Sequence, residues 1–411
     1  MSKLIAVLSV IVAACAISEA GADSDVSAKL TPEAIEARIG QNRMGELVIK
    51  TAPGAEVEVE QLRHEFWFGT AVSNSIVQGG SRRGMSEADR KKYLEVLAAN
   101  FNSAVHENAL KWHNCEPTAT GGFNYSTAEG IHRICADNDI VMRGHCIFWA
   151  TDGNVQEWVK QLDGESLRKV VERRARDVTS RFKGQIEEFD LNNEMIFGSF
   201  YRSRLGEGIV KDMGEWAKQG NPRAVLYLNE QGSLAGGGRN ADKYVALIKK
   251  MVADGVPIGG IGCQGHFAEM FDPEKVQHTL DRLGQFGLPI KITEYDFDTA
   301  DEQLKEKHLR QFYEICFAHP AVEGILMWGF WEGAHWRPRA ALWKRDWTPT
   351  LAAQTYRNLV FNKWWTKENG KADSEGIYRV RAFYGKYSVE SQGKKQQVTL
   401  SKSNGSETVT F

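Results

Sequence analysis

The chain has 411 residues, 42% hydrophobic and 25% charged, with a formal net charge of −2. That balance excludes a disordered or collagen-like chain and offers no basic footprint for nucleic acid. The length suits one large domain with a small appendage.

Residues 1–22 read as an export signal: Lys3, an apolar run from Leu4 to Ile17, then Ala20-Gly21-Ala22 as a small-residue cleavage site. The run is too short for a usual bilayer span, and no later segment reaches the roughly 18 apolar residues of a membrane helix. Val12-Ala13-Ala14-Cys15 also matches a bacterial lipoprotein signal, which would anchor the chain through lipid on Cys15. Secretion is the expected location, and lipid anchoring is the alternative. Residues 23–65 are expected to hold a linker, a short helix started by Thr31-Pro32-Glu33, and a β-hairpin. In that hairpin, 47–50 and 57–60 flank Thr51-Ala52-Pro53-Gly54-Ala55.

From residue 66 to 368 strand-like and helix-like segments alternate. Strands are predicted at 68–72, 102–105, 141–145, 189–194, 224–228, 258–262, 290–293 and 324–328. Between them run apolar stripes at helical spacing: Leu167, Val171 and Val178; Tyr244, Leu247, Ile248 and Met251; Leu304, Leu309, Phe312 and Ile315. Eight strands alternating with helices predict an α/β fold, a (β/α)8 TIM barrel. An open doubly wound sheet is the alternative, but no Gly-rich nucleotide loop follows any strand. Residues 369–411 change to short alternating runs at 378–383, 387–390, 397–400 and 408–411, a small β unit. A lone hairpin is marginal in water, so the strands before and after the barrel are predicted to pack together, away from the barrel mouth.

Without Cys15, five scattered cysteines remain, an odd set that makes no disulfide framework. Cys146, Cys263 and Cys316 lie in apolar segments and read as buried thiols; a Cys115–Cys135 bridge is left open. No CxxC or HExxH pattern suggests a metal, and no cofactor is expected.

In such a barrel the site lies at the C-terminal ends of the strands. The fourth predicted strand ends in Asn193-Glu194, and the seventh in Glu294. Two carboxylic acids at parallel strand tips suit glycoside hydrolysis. The other tips carry what a sugar needs. Glu107, Asn108 and Gln264 match neighbouring hydroxyls, Lys111 and His145 can donate, and Asn193 can bond a hydroxyl beside the reacting atom. Trp149, Trp328 and Trp336 offer apolar ring faces, and His266 is placed to bond Glu294 and hold it ionised. Seven of the twelve Trp fall between Trp328 and Trp365, a cluster that fits a carbohydrate cleft.

At these residues the chain resembles glycoside hydrolase family 10, the retaining endo-1,4-β-xylanases. The likeness rests on Glu107-Asn108-x-x-Lys111-Trp112, Arg143-Gly144-His145-x-x-x-Trp149, Asp190-x-x-Asn193-Glu194, Gln264-x-His266, Ile292-Thr293-Glu294-x-Asp296, and Trp328 with Trp336. It implies Glu194 as acid/base and Glu294 as nucleophile, with carboxyl groups about 5–5.5 Å apart. It implies Glu107, Asn108, Lys111, His145, Trp149, Gln264, Trp328 and Trp336 as sugar contacts on the non-reducing side of the cut. The expectation is a secreted, monomeric xylanase acting on xylan without a cofactor. Cellulose or a mixed β-1,4-glucan is an alternative substrate, because a pocket discriminates one hydroxymethyl group weakly. A carbohydrate-binding protein without catalysis is the alternative from another class. The sequence departs from the family at Ala150, Asn192, Gln231 and Phe330-Trp331-Glu332, which bears on substrate decoration more than on reaction class.

Overall fold

Short apolar runs bounded by polar loops become the staves of one closed parallel sheet. A computed structural model describes residues 26–78 and 85–411; the export signal expected over 1–22, with Cys15, lies outside them. The barrel strands are Trp67–Val72, Ser103–His106, Val141–Gly144, Glu188–Asn193, Val225–Glu230, Gly260–Cys263, Ile290–Phe297 and Val322–Met327. Each pairs in parallel with the next, and the eighth pairs with the first through Ile325 beside Phe68, so the sheet closes. Helices cover the outside, as predicted for a (β/α)8 barrel. The helix Gly164–Arg181 buries Leu167, Val171 and Val178, and its N-cap Asp163 accepts from the Ser166 N–H. The helix Glu302–Ala318 buries Leu309, Phe312 and Ile315, but Leu304 in its first turn is exposed.

The barrel interior is polar where the wall is apolar. Arg143, Tyr227 and Lys291 are almost wholly buried there. Arg143 lies over the Tyr227 ring at 5.1 Å, and Lys291 over Trp67 at 3.8 Å. Gly260 faces the same column, where a Cβ would meet the Tyr227 ring at 2.2 Å.

The strands before and after the barrel form a two-sheet sandwich. Ile377–Phe383, Met44–Lys50 and Ser406–Thr410 make one sheet; Lys367–Lys371, Glu56–His64, Gly385–Ser391 and Lys394–Leu400 make the other. Leu47, Ile49, Val57, Val59, Val380, Tyr387, Val389 and Leu400 form a core distinct from the barrel's. The expected hairpin is therefore corrected. Met44–Lys50 pairs with Ile377–Phe383 and Ser406–Thr410, whereas Glu56–His64 pairs with Lys367–Lys371 and Gly385–Ser391. The link over 51–55 crosses between sheets. Crossing sets the apolar stripe Leu47/Ile49 against Val57/Val59; a hairpin in one sheet would leave both on an uncovered face.

The sandwich sits under the N-terminal ends of the barrel strands. Arg63 donates to the carbonyls of Asn102 and Asp139, just before the second and third strands, and Lys402 Nζ donates to the Pro320 carbonyl, just before the eighth. The helix Pro32–Arg43, capped by Thr31, adds to this floor. Arg43 donates to the carbonyls of Phe317, His319 and Val322 at 2.5, 2.5 and 2.7 Å. A cavity of about 180 Å³ remains between floor and sandwich, lined by Arg43, Trp67, Glu188, Lys291, Tyr384 and Lys402 among others.

The five described cysteines are free and buried, so the Cys115–Cys135 bridge left open by the sequence is not formed. Among the described residues no helix is long and apolar enough to cross a membrane.

Candidate active site

Because all eight strands run parallel, their C-terminal tips meet at one mouth, where the chain leaves regular pairing and polar side chains point inward. At the fourth tip Glu194 follows Asn193 and takes a left-handed backbone, φ 60°. That conformation is uncommon for a residue with a Cβ. It turns the chain sharply: Phe197 and Gly198 N–H both donate to the Glu194 carbonyl, and Glu194 N–H donates to the Asn229 carbonyl at 2.9 Å. Gly198 is required here, since a Cβ would lie 2.3 Å from the Ala150 carbonyl. The Glu194 carboxyl accepts from Trp149 Nε1 at 2.9 Å and from Gln264 Nε2 at 3.2 Å.

At the seventh tip Glu294 is held more tightly. Oε1 accepts from Asn229 Nδ2 at 2.7 Å, and Oε2 meets His266 Nε2 at 3.1 Å. The other His266 nitrogen meets Asp296 at 2.9 Å, and Asp296 also accepts from Trp336 Nε1 at 2.8 Å and Arg337 at 3.1 Å. Burial alone would lower the His266 pKa, but the bonds and charges of Asp296 and Glu294 outweigh it and raise it to about 9. Burial alone would raise Glu294. The His266 hydrogen bond and the nearby His145, His266 and Lys111 charges reverse that and hold Glu294 down to about 2.

A relay of amides joins the two carboxyls. Asn229 is fixed at both ends, accepting from Thr293 Oγ1 at 2.6 Å and donating to Glu294. Its Nδ2 also lies 3.0 Å from Asn193, and since that nitrogen is committed as a donor by Glu294, the Asn193 oxygen faces it. Gln264 Nε2 lies 3.3 Å from the same oxygen and reaches Glu194.

The remaining predicted residues close around this pair. Lys111 Nζ donates to Asn108 at 2.8 Å and lies over the Trp149 and Trp328 rings at 4.7 and 5.8 Å. Burial pushes the Glu107 carboxyl up, against the pull of Lys111 and Asn108. His145 meets Trp328 edge-on at 5.1 Å. Trp328 is 6% exposed in the wall, while Trp336, 49% exposed, stands at the rim beside His266. The other late Trp residues are packing groups: Trp331 stacks on Trp347 at 4.5 Å, and Trp364 on Phe317 at 4.2 Å. Asn192, one of the departures, points away from the mouth toward Met213.

Four residues act here to which the sequence reading gave no role. Asp190 orients His145 at 2.8 Å and accepts from the two terminal guanidinium nitrogens of Arg143 at 3.2 and 2.6 Å. Asp296 orients His266, and Asn229 with Thr293 holds Glu294. Asp296 had a legible signal: two residues beyond Glu294 in an extended strand, it shares that residue's face. Among the described residues no group of His, Cys, Asp and Glu is arranged to hold a metal ion.

Two oriented carboxyls among amides, donors and indole faces can carry acid–base and nucleophilic chemistry on a sugar, and comparisons with known proteins agree. Anti-sigma-I factor RsgI6 of Acetivibrio thermocellus is 38% identical over 364 residues, covering 88% of this chain and 46% of that protein. Endo-1,4-beta-xylanase 1 of Arabidopsis thaliana is 36% identical over 339 residues, covering 82% of this chain and 34% of that protein. The chain thus spans less than half the length of either relative. The crystal structure of native xylanase 10B from Thermotoga maritima superposes with a TM-score of 0.65 at 25% identity, covering 73% of this chain and 96% of that one. Residues 60–359 match the model of glycosyl hydrolase family 10. That span takes in every barrel strand and both glutamates, and the chain therefore belongs to glycosyl hydrolase family 10.

Proposed function

We propose that the protein is an endo-1,4-β-xylanase that cuts internal bonds of xylan with retention of configuration. The observation that carries this reading is the unequal support of the two carboxyls. Glu294 is clamped and ionised by His266 and Asn229, as a nucleophile must be. Glu194 sits in a turn at the mouth with a Trp and a Gln as donors.

In the first step Glu294 attacks the anomeric carbon while Glu194 gives its proton to the leaving oxygen, and a glycosyl ester forms on Glu294. In the second step Glu194, now ionised, takes a proton from water, which attacks the same carbon and releases Glu294. Glu107, Asn108, Lys111, His145 and Gln264 bind hydroxyls on the non-reducing side, Asn193 bonds the hydroxyl beside the reacting carbon, and the Trp328 and Trp336 faces pack on the rings. The protein works outside the cell, a reading that rests on the export signal read over residues 1–22. Mass spectrometry of the mature N-terminus would sink it by finding residues 1–22 retained.

The test of activity is reducing-sugar release from xylan, carboxymethylcellulose and mannan, with binding to each measured in parallel. Release from xylan, with the β anomer formed first by NMR, is the expected result; an α anomer overturns retention. The second reading is a carbohydrate-binding unit without turnover; one relative carries the name of an anti-sigma factor and not of an enzyme. Binding to xylan with no sugar released would establish that instead.

A further inference from the structure

The fifth barrel strand ends in a third carboxyl, which the chemistry above does not use. Glu230 is fully buried behind the Glu194 turn. Its Oε1 accepts from the Ile196 N–H at 3.1 Å, two residues beyond Glu194, and the Met195 N–H also acts on it. Its Oε2 is buried without a hydrogen-bond partner. Arg202, the cation that acts on it, makes no hydrogen bond to it; its Nη2 donates to the Met195 carbonyl at 2.7 Å and the Gly198 carbonyl at 3.3 Å. Glu230 and Arg202 therefore grip the same turn, one through its N–H groups and one through its carbonyls. A carboxylate buried with no ion partner and one unbonded oxygen is costly, and such a group neutralises by keeping its proton.

We propose that Glu230 is a positioning residue for proton transfer: its uncharged carboxyl pins the left-handed turn that aims Glu194. The inference rests on the acid/base reading of Glu194. The ionisable groups that face Glu230 are Glu194 at the fourth tip, Arg202 beyond it, Tyr244 on the helix Ala241–Ala253 and Cys263 on the sixth strand. Burial pushes Glu230 up to about 8, against the two N–H groups and Arg202, and Glu194 adds to the rise. The proton on Glu230 keeps a second negative charge away from Glu194 through neutral pH.

The experiment compares Glu230→Ala, Glu230→Gln and Glu194→Ala on xylotetraose and on 2,4-dinitrophenyl β-xylobioside, whose leaving group needs no proton. Glu230→Ala is expected to lower kcat on xylotetraose by about 30- to 100-fold with little change in KM, since a misplacement near 1 Å costs about that much. On the dinitrophenyl substrate kcat/KM, which reports the first step alone, should fall by no more than about threefold. Glu230→Gln keeps an acceptor for Ile196 and carries no charge, so it should recover most of the lost kcat. Equal losses of kcat/KM for Glu230→Ala on both substrates would make the residue merely structural and overturn the proposal. A Glu230→Gln variant as impaired as the alanine would overturn the uncharged state. If the alanine variant does not fold, the alkaline limb of kcat in Glu230→Gln decides: it should match wild type below pH 8, and a displacement beyond about half a pH unit overturns the proposal. Full activity of Glu194→Ala on xylotetraose would instead remove the acid/base reading, whatever Glu230 does.

Discussion

The two ends of the barrel bury charge in opposite ways. At the floor the charges are neutralised where they stand: Lys291 pairs with Glu188 at 2.7 Å, and Arg43 is absorbed by three backbone carbonyls. The sandwich then covers them. At the mouth the carboxyls are buried too, but of Glu194, Glu230 and Glu294 only Glu294 is bonded to a cation. Glu294 lies against a cationic His266, and Glu194 and Glu230 share a turn. The comparison teaches that this chain keeps its stability and its chemistry at opposite ends of one sheet. A change at the mouth should alter turnover, and a change at the floor should alter melting.

The sharpest contrast comes from the nucleophile. Glu294→Ala should lose on the order of 10⁵-fold in kcat on every substrate, because nothing else at the mouth can form the ester. Azide should then give only the α-glycosyl azide, by direct attack. A β-glycosyl azide from this variant would move the nucleophile elsewhere.

Glu194→Ala should be nearly as damaging on xylan, by about 10³- to 10⁴-fold, but far milder in kcat/KM on dinitrophenyl glycosides, where only the second step suffers. Azide should restore turnover to a β-glycosyl azide. Losses independent of the leaving group would break the distinction between the two tips.

His266→Gln removes the cation behind the nucleophile and should lower kcat by about 10²-fold. It also carries a pH signature. Its pKa is raised in the folded protein, so its stabilisation is complete below about pH 6.5 and is lost as pH rises through about 9. The gap in melting temperature between wild type and His266→Gln should therefore be widest near pH 6 and narrow toward pH 9–10. A gap that widens with pH would show that His266 is neutral.

The smallest effect on turnover is expected at the other end. Leu47 is fully buried in the sandwich core, and Leu47→Ala should cost about 2–5 kcal/mol in denaturant unfolding. The surviving folded enzyme should keep kcat/KM within about twofold. A loss of activity in step with stability would mean that floor and mouth are coupled.

The mouth was more legible in sequence than the floor, for physical reasons. Barrel strands such as 224–228 are short apolar runs, and local pattern alone marks them; the residues at their tips then fall at one end by topology. The structure gathers Glu194, Glu294 and all ten predicted contacts there. What local pattern does not carry is long-range pairing. Thr51-Ala52-Pro53-Gly54-Ala55 looks like a hairpin turn, yet the partners of its two flanks lie more than 300 residues away. Lys367–Lys371, with the sequence KENGK, has no strand signal and is a strand only because Glu56–His64 offers an edge. Positive φ at Glu194 is set by Gly198 packing and the Glu230 grip, which no glutamate announces by itself.

The sandwich has a consequence for the order in which this protein can be made. Leu47 pairs with Val380 on one side and Glu407 on the other, so this strand has no neighbours until residues more than 300 positions later have been made. During translation at roughly 5–20 residues per second, that early strand waits tens of seconds as an unpaired edge. The barrel can be assembled stave by stave as the polypeptide emerges, but its floor is sealed only once residues 377–410 have been made, when the two distant segments clasp.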